Sequence, residues 1–257
     1  MYPKIDIFDL SIPTYILCYG FGAIVSIALL CNLLVQKNYL RKYKNILMLS
    51  LLGLYFGARL FGIMSRLFSI YQNTGKWNIA ESIKSGIVYF GGLLGYLLTL
   101  QCFCKIKRYQ TNLINDIIAV VIPLFHGFGR IGCYFGGCCY GKISDSPISI
   151  PYRILSEDES WQYRIPTQLL EALFEFVIFI VLYKQYCKNK EKTLTSQNLL
   201  MRYLFTYSVW RFVIEFFRGD ILRGIYYGYS FSQYICILIW LYLCVIKYIS
   251  IRRMKIV

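Results

Sequence analysis

Residues 10–36 read LSIPTYILCYGFGAIVSIALLCNLLVQ and contain no charged side chain. A membrane-spanning helix needs about 20 mostly apolar residues, because the hydrocarbon core of a bilayer is roughly 30 Å thick. Residues 85–104 and 224–246 also reach this length and contain no charged side chain. These three runs therefore predict three transmembrane helices.

Four further apolar runs are long enough to span but are interrupted by ionisable groups. They cover residues 45–65 with Arg59, 117–139 with Arg130, 165–183 with Glu171 and Glu175, and 199–217 with Arg202, Arg211 and Glu215. Hydrophobic residues make up 57% of the chain and its mean hydropathy is +0.50, which is too apolar for an ordinary soluble domain. The sequence predicts an all-α polytopic membrane protein with seven transmembrane helices. Residues 1–257 are expected to form a single integral-membrane domain.

The formal charge of +15 is concentrated in alternate hydrophilic segments. The basic segments carry Lys37, Arg41, Lys42 and Lys44; Lys105, Lys107 and Arg108; Lys184, Lys188, Lys190 and Lys192; and Lys247, Arg252, Arg253 and Lys255. Lys and Arg are enriched in cytoplasmic loops, so the N-terminus is predicted outside and the C-terminus inside the cell. This distribution favours contact with anionic lipid headgroups and argues against nucleic acid as a partner.

Charged side chains within spans are costly and usually face one another or a cavity. Arg211, Glu215 and Arg218 follow helical spacing, which predicts an Arg211–Glu215 pair and places Arg218 near Asp220 at the outer end. A second polar stripe in the fifth span consists of Gln168, Glu171 and Glu175. Such groups either hold the helices together or line a functional site, and the spacing alone leaves both open for Arg211, Glu215 and Glu175.

The stretch FHGFGRIGCYFGGCCYG, residues 125–141, holds the only histidine together with Arg130 and several glycines. Glycines let the backbone approach a ligand and expose N–H groups to an anion, and arginine offers a planar donor fork suited to phosphate. The stretch predicts a site for an anionic headgroup. A close helix-packing seam is the alternative explanation for the glycines.

Three cysteines in this stretch, Cys133, Cys138 and Cys139, lie at the predicted outer end of the fourth span. Four uses remain open for them: packing thiols in a glycine-rich turn, a disulfide, a metal site and a catalytic thiol. Packing thiols are favoured. The spacing C-x4-C-C with one distant histidine is not a familiar zinc pattern, so neither a metal nor a cofactor is expected.

Several ordered motifs resemble the prolipoprotein diacylglyceryl transferases of the bacterial inner membrane. The stretch GRIGCYFGGC at 129–138 is similar to that family's signature, commonly GRIGNFxNGE. Further similar motifs are Tyr19-Gly20, GARL at 57–60, FGGLLG at 90–95, Asp116, PTQLLEAL at 166–173, RFVIEFFRGD at 211–220 and Ser232-Gln233. They occur in the family's order over nearly the whole chain.

The resemblance implies a seven-helix bundle and transfer of the diacylglyceryl group of phosphatidylglycerol to the lipobox cysteine of a prolipoprotein signal peptide. By resemblance, Arg130 and Arg218 would hold the phosphate, and Tyr19 and Gln168 would line the lipid site. The same resemblance assigns further positions to substrate binding: Arg59, Gly91, Gly92, Gly132, Cys138, Glu171 and Glu215. A multi-pass protein of the bacterial inner membrane, surrounded by membrane lipids, is therefore expected.

Three positions depart from the family pattern. Cys133 stands where the signature has Asn, Cys138 where it has Glu, and Phe90 where a His precedes Gly-Gly. A thiol is a poor substitute for a carboxylate as a proton carrier. His126 stands four residues before Arg130, so it is a candidate base for the acceptor thiol, with a purely structural histidine as the alternative.

The altered signature leaves two other functions open. One is a transferase of the same fold that uses phosphatidylglycerol but a different acceptor, such as a glycan or a dedicated peptide. The other is a membrane protein that is not a transferase and uses its cysteine cluster for redox or metal chemistry.

Overall fold

The computed structural model describes residues 4–7, 10–154, 158–188, 198–220 and 225–254. In chain order the elements are β1 (Lys4–Ile7), β2 (Leu10–Pro13), α1 (Thr14–Gln36), α2 (Leu40–Thr74), α3 (Ile79–Ser82), α4 (Tyr89–Ile106), α5 (Thr111–Gly136), β3 (Ile150–Ile154), β4 (Asp158–Arg164), α6 (Thr167–Lys188), α7 (Leu199–Ile214), a 3₁₀ turn (Glu215–Phe217), β5 (Ile225–Tyr226), β6 (Tyr229–Ser230) and α8 (Phe231–Met254). Lys190, Glu191, Lys192 and Lys255, which contribute to the charge pattern, lie outside the described residues.

Five of the helices in these ranges are long and apolar enough to cross a membrane: α1, α2, α4, α5 and α8. Their outward faces carry large apolar side chains, such as Phe21 and Ile24 of α1, which are 57% and 70% exposed. Lipid rather than water is the solvent that such faces require. The protein is a helical, multi-pass membrane protein. The other two predicted spans coincide with α6 and α7, in which ionisable groups interrupt the apolar sequence.

The structure also contains short β-strands, which the all-α prediction did not include. Three separate antiparallel hairpins pair β1 with β2, β3 with β4 and β5 with β6. The β3–β4 hairpin occupies the hydrophilic segment between α5 and α6. Alternating apolar residues are too few in these segments to predict strands, and two-stranded pairing satisfies backbone groups where no helix forms.

The described chain forms two compact units that alternate along the sequence. The first contains residues 1–37, 112–203 and 216–220, and the second contains residues 38–111, 204–215 and 221–257. The single-domain organisation stays a prediction.

In the first unit, α1 packs closely against α5. A Cβ on Gly22 would lie 2.6 Å from the Cβ of Phe128, and a Cβ on Gly129 would lie 2.9 Å from the ring of Tyr19. A Cβ on Gly132 would lie 3.1 Å from the Cβ of Cys18. The glycines of the fourth predicted span therefore do form a packing seam, which brings α1 alongside the functional stretch. Of the five apolar helices, α5 is the most buried, because 72% of the residues in its apolar stretch are buried within the protein.

In the second unit, α2 and α4 pack backbone to backbone. Cβ atoms on Gly57 and Gly91 would each collide with the carbonyl oxygen of the other glycine. Cβ atoms on Gly53 and Gly95 would likewise each collide with the carbonyl oxygen of the other residue. Small residues at matching positions on two helices allow this close approach, which maximises van der Waals contact where water supplies no driving force.

A capping box begins α8. The side chain of Gln233 accepts a hydrogen bond from the backbone N–H of Ser230 at 2.8 Å, and the Ser230 hydroxyl accepts one from the backbone N–H of Gln233 at 3.3 Å. Two N–H groups at the helix terminus are thereby satisfied. Gln233 also donates to the carbonyl oxygen of Phe212 at 3.1 Å, which fixes α8 to α7 within the second unit.

Candidate functional site

Arg130 lies on α5 among the acidic residues of α6. Its Nε is 3.1 Å from Oε2 of Glu171 and donates a hydrogen bond to Nε2 of His126, also at 3.1 Å. Arg130 is 6% exposed and Glu171 is fully buried. A buried charge needs both an opposite charge and hydrogen bonds, and this arrangement gives the guanidinium both.

His126 links Arg130 to a second carboxylate. Its Nδ1 is 2.8 Å from Oε1 of Glu175, which is also fully buried. Because Arg130 donates to Nε2, that nitrogen is the acceptor, and the proton of the neutral ring belongs on Nδ1, facing Glu175. His126 and Arg130 share one face of α5, as their spacing predicted, and the polar stripe of α6 meets that face.

Both ring nitrogens of His126 are thus engaged in this arrangement. A base must present a free lone pair to the proton that it removes. His126 would have to release Arg130 before it could serve the acceptor thiol. The predicted catalytic role of His126 stays a prediction, and the contacts agree better with the alternative of a structural histidine.

Arg218 follows the 3₁₀ turn, and its backbone is paired with the segment after the cysteines. Residues Gly141 and Arg218 form an isolated antiparallel bridge, with Lys142 N–H donating to Phe217 O at 2.9 Å and Gly219 N–H donating to Tyr140 O at 2.9 Å. A Cβ on Gly219 would lie 2.6 Å from the carbonyl oxygen of Gly141. Only glycine allows this approach. The Arg218 side chain forms two hydrogen bonds to Asp220, at 2.8 and 3.3 Å, as predicted from their proximity in sequence.

A further arginine of this region was not identified from the sequence. Arg164 ends β4 and is 8% exposed, with its guanidinium 4.7 Å above the ring of Tyr140. It donates to Gly141 O at 3.3 Å and to Oε1 of Gln162 at 2.7 Å. The motif RIPTQ, in which it stands directly before the polar stripe of α6, was the available signal.

The three cysteines are brought together by the way α5 ends. Gly137 has φ = 76°, and the N–H groups of Gly137 and Cys138 donate to Tyr134 O at 3.4 Å and Cys133 O at 3.2 Å. This is a Schellman motif, in which the N–H of the residue after the left-handed glycine bonds to the carbonyl oxygen of the residue that lies three positions before the end of the helix. Here those two residues are Cys138 and Cys133. Cys139 also has a left-handed φ of 60°, and the three Sγ atoms lie within 4.8 Å of one another.

The first turn of α6 fixes the backbone of this cluster. Thr167 Oγ1 donates to Cys139 O at 2.9 Å, and Gln168 Nε2 donates to Cys138 O at 2.8 Å and to the Tyr152 hydroxyl at 2.9 Å. Burial raises the pKa of Tyr152 above its usual range. The Cys138 thiol donates to Cys133 O at 3.7 Å.

Gln168 and Tyr19 also present groups to the interior of this region. No described residue donates a hydrogen bond to the fully buried Oε1 of Gln168. The hydroxyl of Tyr19 lies 3.9 Å from Sγ of Cys133, and its ring covers Gly129. Gly132 lies in the seam between α5 and α1. The first unit therefore brings together Arg130, His126, Glu171, Gln168, Tyr19, Gly132 and Cys138 from the predicted set, with Arg218 on the adjoining loop.

The other predicted residues belong to the second unit. Arg59 donates to the carbonyl oxygens of Ser85 and of Ile83, the latter at 2.7 Å, and so holds the segment before α4. Gly91 lies in the α2–α4 seam and Gly92 packs against Ala58. Glu215 pairs with Arg211 at 2.8 Å, which confirms the pair predicted from their spacing.

Comparison with known proteins agrees with this arrangement of motifs. The family model described as prolipoprotein diacylglyceryl transferase matches residues 4–249. The chain belongs to the prolipoprotein diacylglyceryl transferase family. The predicted resemblance is confirmed.

Relatives in this family are similar over most of the chain. A phosphatidylglycerol–prolipoprotein diacylglyceryl transferase of Clostridium tetani is 30% identical over 84% of this chain and 87% of its own length. A second such transferase, from Clostridium perfringens, is 30% identical over 91% of this chain and 89% of its own length. One from Campylobacter jejuni is 30% identical over 88% and 89%.

The three departures from the family pattern lie in two regions, the cysteine cluster of the first unit and the packed interior of the second unit. Cys133 and Cys138 lie in the cluster beside Arg130. Phe90, in the second unit, is 2% exposed and packs against Tyr207 at a ring distance of 5.3 Å. The apolar ring of Phe90 therefore replaces the polar ring of histidine at a buried position, where an apolar side chain packs well.

Proposed function

We propose that this protein transfers the diacylglyceryl group of phosphatidylglycerol to the cysteine thiol of prolipoproteins. The observation that carries the proposal is the buried Arg130, fixed by Glu171 and His126 at the centre of a stretch shared with the transferase family. The relatives act, by their names, on phosphatidylglycerol and prolipoprotein.

The reaction exchanges a C–O bond for a C–S bond. The acceptor thiol loses its proton to solvent, and its sulfur attacks the diacylglyceryl carbon that is bonded to the phosphate oxygen. The C–O bond breaks, and the electron pair of that bond stays on the departing glycerol phosphate. The phosphate charge changes from −1 in the diester to about −2 in the monoester. Groups that bind the phosphate more tightly as this charge develops lower the barrier.

Arg130 and Arg218 are the groups that we assign to this charge. Guanidinium binds phosphate with two parallel hydrogen bonds, and burial strengthens the interaction because water does not screen it. Glu171 keeps Arg130 in place before the lipid arrives, so little reorganisation is needed during the reaction. Asp220 does the same for Arg218 through its two hydrogen bonds.

Gln168 and Tyr19 are assigned to the lipid donor. The buried Oε1 of Gln168 is an acceptor that suits a hydroxyl of the glycerol headgroup, because leaving it unsatisfied is costly. Tyr19 offers a ring and a hydroxyl at the edge of the α1–α5 seam. Gly132, Glu171 and Cys138 stay predicted contacts of this site. The substrate-binding roles of Arg59, Gly91, Gly92 and Glu215 also stay predictions.

The proposed topology has seven spans, with the N-terminus outside and the C-terminus in the cytoplasm. α6 and α7 would supply the fifth and sixth spans, and ionisable groups within spans are expected to be paired, as Arg211 is with Glu215. The protein would lie in the bacterial inner membrane. The cysteine cluster and Arg218 would face the outer side, where the lipobox cysteine of a signal peptide arrives.

Purified protein in detergent, mixed with phosphatidylglycerol and a peptide that carries a lipobox, tests the proposal. Mass spectrometry should show a peptide heavier by one diacylglyceryl group. Neither a peptide with Ser in place of the acceptor Cys nor phosphatidylethanolamine as donor should give the product. Lipid consumption without peptide modification would instead favour the other acceptors, glycan or dedicated peptide.

A further inference from the structure

We propose that Cys133, Cys138 and Cys139 form a three-thiolate site for a soft, thiophilic cation, with Cu(I) the ion that fits best. The three Sγ atoms lie within 4.8 Å of one another. With metal–sulfur bonds of about 2.3 Å, a trigonal site places its sulfurs about 4 Å apart. Shifts of less than about 1 Å therefore complete the coordination.

The backbone holds these thiols in place before any ion arrives. The Schellman motif sets Cys138 against Cys133, and the left-handed Cys139 turns its side chain to the same point. Thr167 and Gln168 then bind the carbonyl groups of Cys139 and Cys138. Preorganised ligands lose little conformational entropy on binding, which raises affinity.

The number and kind of ligands select the ion. Within the described ranges, the group contains three cysteines and no His, Asp or Glu. Structural zinc sites take four protein ligands, so zinc would need water as its fourth. Thiolates without a fourth ligand suit Cu(I). Hard oxygen-preferring ions such as Mg²⁺ are excluded.

Charge favours the same conclusion. Binding displaces the thiol protons to solvent, and three thiolates with Cu(I) carry a net charge of −2. Arg130 stands one helical turn before Cys133 on α5, and the backbone of Arg218 pairs with Gly141, two residues after Cys139, so two positive charges lie near the cluster. Cys138 is exposed, which gives an ion a path to the cluster, while Cys133 is buried.

Titration of the full-length protein in detergent tests the site. After reduction and removal of the reductant under argon, Cu(I) is supplied as its complex with bathocuproine disulfonate, and transfer to the protein is followed by loss of the complex's absorbance. The same titration is run with Zn²⁺ and a zinc indicator. We expect one tightly bound Cu(I) per chain and weaker binding of Zn²⁺.

A matched pair of variants assigns the ion to the cluster. Cys133→Ala/Cys138→Ala/Cys139→Ala should lose this one equivalent. Cys102→Ala/Cys187→Ala/Cys244→Ala removes three exposed cysteines elsewhere and should keep it. Equal losses in both variants, or none in either, would overturn the proposal, and tighter binding of Zn²⁺ would overturn the choice of Cu(I).

The unmodified protein provides a test that does not depend on the variant folding. One equivalent of Cu(I) should protect Cys133, Cys138 and Cys139 from alkylation, as mapped by peptide mass spectrometry, while Cys102, Cys187 and Cys244 stay reactive. X-ray absorption should show a first shell of sulfur only. Unprotected cysteines, or a disulfide that re-forms within the cluster and prevents binding, would contradict the proposed site.

Discussion

Arg130 is fixed by two buried groups, Glu171 and His126, which both contact its Nε. Arg202, in contrast, is exposed and donates a hydrogen bond to Oε1 of Gln185 at 2.9 Å. The planar guanidinium can keep these contacts and still offer donors to a phosphate. Lysine has the charge but not this geometry.

Arg130→Lys should therefore lower kcat/KM roughly tenfold to hundredfold, since hydrogen bonds to charged groups are worth about 1.5–3 kcal/mol. Transfer from phosphatidylglycerol to a lipobox peptide is the measurement. Arg202→Lys is the matched control and should stay within about twofold. Activity of the Arg130 variant within threefold of the unchanged protein would remove Arg130 from the phosphate site.

Arg218→Ala is expected to weaken the binding of the lipid donor, phosphatidylglycerol. Loss of one phosphate ligand should raise the KM for phosphatidylglycerol at least about tenfold and leave the KM for the peptide nearly unchanged. The two KM values are obtained by varying each substrate at saturation of the other. A change confined to the peptide KM would refute the assignment.

At the scale of elements, part of the site followed from sequence spacing and part did not. Helical periodicity predicted the Arg211–Glu215 pair and the shared face of His126 and Arg130, because i and i+4 positions are neighbours whatever the helix packs against. Which carboxylate meets which partner across α5 and α6 depends on helix rotation and depth. Those contacts, Glu171 with Arg130 and Glu175 with His126, came only from the structure.

The hairpins and the cysteine cluster were also beyond the sequence, for a different reason. A left-handed φ at Gly137 was readable from its position after α5, but a left-handed Cys139 was not, because that conformation is uncommon outside glycine and asparagine. The β3–β4 pairing depends on a register that a loop sequence specifies weakly. The apolar runs, in contrast, placed all of the long helices.

Substitution of the adjacent glycines Gly91 and Gly92 of α4 tests whether Gly91 serves helix packing or substrate binding. Gly91→Ala should destabilise the protein by about 1–3 kcal/mol, because its Cβ would overlap the Gly57 carbonyl. Gly92→Ala should cost less, since its Cβ would lie 3.3 Å from Cβ of Ala58. Thermal unfolding in detergent measures both. If Gly91→Ala kept full stability and lost activity, Gly91 would act as a substrate contact instead.

At the scale of the whole molecule, the charge pattern gives an orientation that can be checked directly. An epitope tag at the N-terminus should be removed when protease is added to intact spheroplasts, and a tag at the C-terminus should be removed only after permeabilisation. Both tags behaving alike would require an even number of spans. The reverse pattern would invert the topology and move the cysteine cluster to the cytoplasmic side.

We propose that this chain lipidates prolipoproteins through Arg130 although Cys133 and Cys138 replace the usual Asn and Glu. Complementation of cells depleted of their own diacylglyceryl transferase tests it most directly, with a test prolipoprotein followed by its shift from unmodified to lipidated form. We expect rescue by the unchanged chain and none by Arg130→Ala at equal membrane abundance. Absence of rescue by the unchanged chain, with the protein present in the membrane, or rescue by Arg130→Ala, would contradict it.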